Sequence, residues 1–162
     1  MTRPLYAVWP SPLGELVLQG DERALHALHL PGHRPRADRG LRAAVRFEAA
    51  IDQLEEYFAG TRTAFELCLQ PGGSPFDQAV WRQVSQIPYG QTRSYAEVAR
   101  AIGRTDRVRA VGSANARNPL PIIVPCHRVI GSDGSLTGYA GGLDRKRSLL
   151  TLEQGAWQQT LL

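Results

Sequence analysis

The chain has 162 residues, 43% of them hydrophobic and 21% charged, a globular composition that suits one domain of ordinary size or two small ones. No apolar run reaches the roughly 18 residues a membrane helix needs, and the opening MTRPLYAVWPSP lacks the apolar core of a secretion signal. Only two cysteines, Cys68 and Cys126, are present, which excludes a disulfide scaffold and points to a reducing, cytoplasmic setting. The net charge of +4 is uneven: residues 1–74 carry eight arginines against nine acids, whereas residues 75–162 carry ten arginines and Lys146 against six. A basic excess confined to the second part is the footprint of an anionic partner, nucleic acid first.

Taken in chain order, the short apolar runs 5–9, 15–19 and 24–30, separated by Ser11-Pro12-Leu13-Gly14 and Gly20-Asp21, predict an antiparallel meander. Residues 31–40, with Arg34, Arg36 and Arg39, predict a solvated loop. From Leu41 to Phe58 the positions Val45, Ile51, Leu54 and Phe58 fall at helical spacing, and Gly60 supplies a stop. Residues 64–69 predict a further strand, with Cys68 in the core. Pro71-Gly72-Gly73 breaks the chain, so two domains are expected, 1–73 and 74–162.

In the second part, Ser74-Pro75 is an N-cap with Pro at the first helical position, opening a helix to about Gln86. Ser94-Tyr95-Ala96-Glu97 has the form of a capping box opening a short helix to about Ile102, with Gly103 at its end. A third helix is expected from about Asp106 to Ala116. Two short helices joined by a tight glycine-containing turn suggest a helix-turn-helix. Ile122-Ile123-Val124 predicts a buried strand or extended run, Ser132-Asp133-Gly134 a turn, and residues 142–153 a last helix closed by Gly155.

The chemistry concentrates in Asn118-Pro119-Leu120-Pro121-Ile122-Ile123-Val124-Pro125-Cys126-His127-Arg128-Val129-Ile130. A cysteine in apolar surroundings is inert, whereas one beside a base and a guanidinium reaches the thiolate, and both readings of Cys126 are open on composition alone. His26, His29 and His33 cluster, but no cysteine pair accompanies them, so no metal or other cofactor is expected.

The string PCHRVI, preceded by NPLPIIV and followed by GSDGSLTGYAGGLDRK, resembles the active-site signature of the O6-alkylguanine-DNA alkyltransferases, the methylated-DNA–protein-cysteine methyltransferases. IPYGQTRSYAEVA and RAVGSANARNP extend the likeness from about Phe76 through Glu153, while the first part fits in length and coarse element order. The resemblance implies an α+β fold: a small N-terminal RNase H-like lobe of antiparallel sheet and helix, and a helical C-terminal lobe with a winged helix-turn-helix-like DNA-binding motif. It implies transfer of the alkyl group from O6-alkylguanine, and from O4-alkylthymine, in double-stranded DNA to Cys126, irreversibly and once per chain. His127, oriented by Glu153, would draw the thiol proton through a water.

By the same resemblance, Asn118 bridges the helix-turn-helix and the cysteine segment. Tyr139 donates toward the base, and the backbone N–H of Ala140, where serine is common, contacts O6. The carbonyls of Cys126 and Val129 accept from the guanine amine. The base is flipped through the minor groove, with Arg109 filling the gap and Tyr95 pressing on the 3′ phosphate. Ala110, Gly112, Ser113, Asn115, Arg117 and Arg128 would be groove and phosphate contacts. A monomer is expected, with cooperative assembly on DNA open.

Overall fold

The computed structural model describes residues 4–32 and 41–155. His33 and the arginines 34, 36 and 39 lie outside these. The described residues fall into two compact units, meeting in sequence at Gly72 and Gly73.

The first unit is a four-stranded sheet with one helix. Its strands are β1 (Leu5–Ser11), β2 (Gly14–Gly20), β3 (Leu25–His29) and β4 (Leu41–Arg42), in the order β3-β2-β1-β4. The two hairpins are antiparallel, as the short apolar runs and their turn residues predict, and β4 joins β1 in parallel through Leu5–Leu41 and Tyr6–Arg42. Successive strand residues face opposite sides of a sheet. Leu16, Val17 and Leu18 are all fully buried, so the middle of β2 is covered on both faces. Helix α1 (Glu48–Phe58) contributes Ala50, Leu54 and Tyr57 to the core, and the Tyr57 ring meets Phe58 edge-on at 5.2 Å.

Two expectations are corrected here. The helix begins at Glu48, not Leu41: Leu41 and Arg42 are drawn into the sheet, Ala44–Phe47 is a single 3-10 turn, and Val45 is 77% exposed. Backbone pairing with β1 overrides helical periodicity over those residues. Nor is 64–69 a strand. One bridge joins Leu25 to Leu69, and the Gln53 side chain of α1 instead binds both Glu66 N–H and Glu66 C=O, at 2.8 and 3.2 Å. Cys68 is exposed there, not in the core.

The second unit is helical. Helix α2 (Pro75–Val84) opens on Ser74, whose hydroxyl accepts from Asp77 N–H while the Asp77 carboxylate accepts from Ser74 N–H. This reciprocal pair satisfies two orphan donors of the first turn. A Cβ on Gly73 would stand 2.5 Å from the Trp81 ring, so only glycine lets the chain enter α2 here. Helix α3 (Tyr95–Ala101) is capped by Ser94, which accepts from Glu97 N–H at 3.0 Å. The return bond expected of the Glu97 carboxylate is not made, so Ser94 is a simple N-cap. Gly103, at φ 73°, turns the chain toward α4 (Val108–Ala116). Helices α2, α3 and α4 close on Val80, Val84, Val98, Ala99, Val111 and Ala114, and the Trp81 indole donates to Ala114 C=O at 2.8 Å. Two short strands, β5 (Arg93–Ser94) and β6 (Val129–Ile130), pair in parallel and fasten the start of α3 to the segment after Cys126. Helix α5 (Leu143–Glu153) follows the 131–142 loop. Among the described residues no helix is long and apolar enough to cross a membrane.

Candidate active site

The segment leading to Cys126 is a series of tight turns, not a strand. Asn118 organises it: its Oδ1 accepts from Leu120 N–H at 2.9 Å and its Nδ2 donates to Val124 C=O at 2.8 Å. Val124 N–H returns to Leu120 C=O, and Ile122 between them sits at φ 76°, a left-handed conformation that is costly for a β-branched residue. Six apolar side chains of 120–129 are buried, which gave the appearance of a strand; the two flanking prolines and the Asn118 amide decide for turns. Cys126–Arg128 then forms one 3-10 turn, so Cys126 and His127 do not alternate across an extended chain.

Cys126 is 4% exposed. Burial pushes its thiol up to about 11, while the Asn118 amide, the Lys146 ammonium and the backbone N–H groups of Cys126 and His127 work in the opposite direction. His127 is fully buried and lies 2.6 Å from Glu153, Nε2 to Oε2. Burial lowers its pKa most, outweighing the support from Glu153, so the imidazole is held neutral. With the carboxylate accepting from Nε2–H, the lone pair falls on Nδ1, which is buried with no hydrogen-bond partner. A neutral base with an unoccupied lone pair on the residue after the thiol is suited to accept a proton through one water. Glu153 is compensated in turn by Arg128, Nε to Oε1 at 2.7 Å and Nη2 to Oε2 at 3.1 Å. Arg128 also donates to Ile87 C=O at 2.7 Å.

Arg128 is therefore an internal counter-charge, 6% exposed, and not a DNA contact. Asn115 is corrected in the same sense: it is 2% exposed and its Nδ2 donates to Cys126 C=O at 3.1 Å. It ties α4 to the nucleophile's backbone instead of reaching outward. The two carbonyls expected to receive the guanine amine already hold donors, Cys126 from Asn115 and Val129 from Lys146.

The other residues expected to meet DNA lie on α4, just after it, at the start of α3 and on the 131–142 loop. Arg109 and Ser113 are exposed on α4, and Ala110 and Gly112 are half-buried beside them. The absent side chain of Gly112 leaves 3.7 Å to the Tyr95 ring. Arg117 is exposed but pairs with Asp77 at 2.6 Å, and that guanidinium holds the Asp77 carboxyl below the usual range. Tyr95 donates to Thr137 C=O at 2.9 Å, on the loop that carries Tyr139 and the exposed Ala140. The Tyr139 hydroxyl is buried without a partner, and burial raises its pKa well above the ordinary value, so it stays a proton donor. Unpaired buried polar atoms are rare in folded proteins. Those of Asn115, His127 and Tyr139 all lie in this unit. No group of three metal-ligating side chains occurs among the described residues.

Sequence reasoning missed Lys146. It is fully buried on α5, and its ammonium donates to Val129 C=O at 2.7 Å and Thr137 C=O at 2.8 Å. The signal was available: Lys146, Leu149, Leu150 and Glu153 form the buried stripe of α5 at helical spacing, and Lys146 is the chain's single lysine.

Comparison with known proteins gives a consistent result. The family model described as 6-O-methylguanine DNA methyltransferase, DNA binding domain, matches residues 75–155, and that described as the ribonuclease-like domain of the same family matches residues 5–71. A methylated-DNA–protein-cysteine methyltransferase of Methanosarcina acetivorans is 47% identical over 151 residues, covering 91% of this chain and 97% of the relative. One of Mycobacterium tuberculosis is 47% identical over 151 residues, covering 92% of each. The crystal structure of Mycobacterium tuberculosis OGT in complex with DNA superposes with a TM-score of 0.89 at 47% identity, covering 93% of both chains.

Proposed function

The chain belongs to the O6-methylguanine DNA methyltransferase family, and from that membership we propose that it is a DNA repair protein that moves the alkyl group of O6-alkylguanine onto Cys126. The thiol proton passes through a water to His127 Nδ1. The sulfur attacks the alkyl carbon in line, an S–C bond forms, the C–O6 bond breaks, and its electron pair stays on the guanine. Tyr139 supplies a hydrogen bond or proton as charge develops on the base. The thioether has no good leaving group, so each chain acts once.

The observation that carries this reading is the buried Cys126–His127–Glu153–Arg128 arrangement, with the His127 lone pair unoccupied. Glu153 fixes the imidazole tautomer, and its ion pair with Arg128 means that no net negative charge stands beside the thiolate. Arg109 and the small residues of α4 enter the minor groove, and Tyr95 presses on the backbone of the flipped nucleotide. The protein works as a cytoplasmic monomer on duplex DNA, without cofactor.

Intact-protein mass spectrometry after incubation with a duplex holding one O6-methylguanine tests the reading. It requires the gain of one methyl per chain and no further gain with excess duplex. Tight binding to that duplex with no mass change contradicts it and favours a lesion sensor.

A further inference from the structure

The arginines around α4 are not equally free. Arg104 pairs with Asp106 at 3.4 Å. Arg107, just before the helix, lies over the Phe76 ring at 4.8 Å from its centre. Arg117, just after the helix, donates from Nη2 to Asp77 Oδ1 at 2.6 Å. Among the described residues the Arg109 side chain has no such partner. Two of the three engaged arginines are held by consecutive residues, Phe76 and Asp77, in the first turn of α2. That turn therefore takes the cation on each side of α4 and leaves the one within it.

Spacing makes the Arg117 contact the informative one. Arg109, Ser113 and Arg117 recur every four residues and are all exposed, so they share one side of α4 and its end. By position Arg117 belongs to the surface that Arg109 presents, and by contact it is tied to α2. An ion pair in open solvent is weak and would yield to a phosphate. This one is asymmetric: the Arg117 side chain is 56% exposed, but that of Asp77 is only 10% exposed. The other Asp77 oxygen accepts from Ser74 N–H, which fixes the carboxylate before the guanidinium arrives. Releasing Arg117 would leave a nearly buried carboxylate without its cation, a costly state.

We propose that Asp77 sets the DNA affinity of this protein by withholding Arg117 from the phosphate backbone, so that Arg109 is the arginine the helix presents to DNA. The inference rests on the DNA-binding reading of α4. A phosphate contact strengthens binding to every duplex alike and carries no information about a lesion. Withholding one weakens the hold of undamaged DNA, which competes with the lesion for the protein.

The test measures binding of the full chain to an undamaged duplex over a range of salt concentrations. Asp77→Asn keeps an acceptor for Ser74 N–H and removes the charge that holds Arg117. The expected result is a plot of log K against log salt steeper by about 0.9, the release of one further counterion, with about fivefold tighter binding near ~0.1 M salt. Adding Arg117→Ala to Asp77→Asn should return the slope to that of the parent. An unchanged or shallower slope in Asp77→Asn overturns the proposal. So does a gain that survives Arg117→Ala, because the gain then comes from removing a negative charge and not from freeing Arg117. Should Asp77→Asn fail to fold, Asp77→Gln supplies the neutral side chain that a capping box accepts at this position, and the same slopes decide. If the parent itself binds no duplex, the DNA reading of α4 fails and the proposal falls with it; if the parent binds and only the slopes disagree, the reading stands and the proposal alone is lost.

Discussion

The two units bury different things. Among the described residues, the first buries no charged side chain and is centred on Leu16, Val17, Leu18, Leu54 and Tyr57. The second buries Asp77, Ser94, Asn115, His127, Arg128, Lys146 and Glu153 as well. Hydrocarbon burial is the cheapest way to hold a fold, roughly 25 cal/mol per Å² in its favour, whereas each buried charge must recover a large desolvation cost. A unit that carries three buried cationic or imidazole side chains around one carboxylate and one thiol is organised for a reaction. The contrast extends to the cysteines. Cys68 lies at the surface of the first unit, open to any reagent, and Cys126 lies 4% exposed among the charges of the second.

Removing the centre of the charged network should break this contrast most severely. Glu153→Gln leaves Arg128 without its carboxylate and lets the amide present either an acceptor or a donor to His127. Loss of one member of a buried ion pair costs about 3–5 kcal/mol, and loss of an oriented base costs about 100-fold or more in rate. Stability, from chemical denaturation followed by tryptophan fluorescence, and the single-turnover rate of methyl transfer should therefore fall together. A variant that keeps normal stability and rate would remove Glu153 from the account.

A cavity in the apolar unit should separate the two properties. Leu54→Ala removes a fully buried side chain of α1 and costs about 2–5 kcal/mol. Its transfer rate, measured where the chain is still folded, should equal that of the parent. A slowed rate would mean that the first unit takes part in the chemistry.

The smallest effect is on pH dependence. His127 has a folded pKa below its unfolded value of about 6.5, so below that pH the unfolded chain binds a proton the folded chain refuses. Its contribution is complete above pH 6.5 and is lost as the pH falls toward the lowered folded value. Melting temperatures should therefore decline from pH 7 to pH 5, and His127→Gln should flatten that decline. An unchanged slope in the variant would show that another group carries it.

Legibility in the sequence follows the same division. The meander was readable because β1 to β3 are short apolar runs punctuated by turn residues. Ser74-Pro75 and Gly103 marked helix boundaries through chemistry confined to one turn. Cys126, His127 and Glu153 were readable only through the likeness of a whole string to a family. What could not be read was which polar residues go inside. Arg128 reaches Ile87 across 41 positions and Glu153 across 25, so its burial depends on partners that no local pattern contains. Asn115 sits among the small residues of α4 and looks like a surface contact until its bond to Cys126 is seen. Residues 41–42 failed for a related reason, since β4 exists only by pairing with β1.

The central claim is that the buried network, and not exposure, selects the acceptor thiol. The most direct test is to react the native chain with an O6-methylguanine duplex, digest it, and measure methyl occupancy on the peptides that hold Cys68 and Cys126. The account predicts methyl on Cys126 alone, although Cys68 is the exposed thiol. Methyl on Cys68, or a division between the two that follows their exposure, would contradict it.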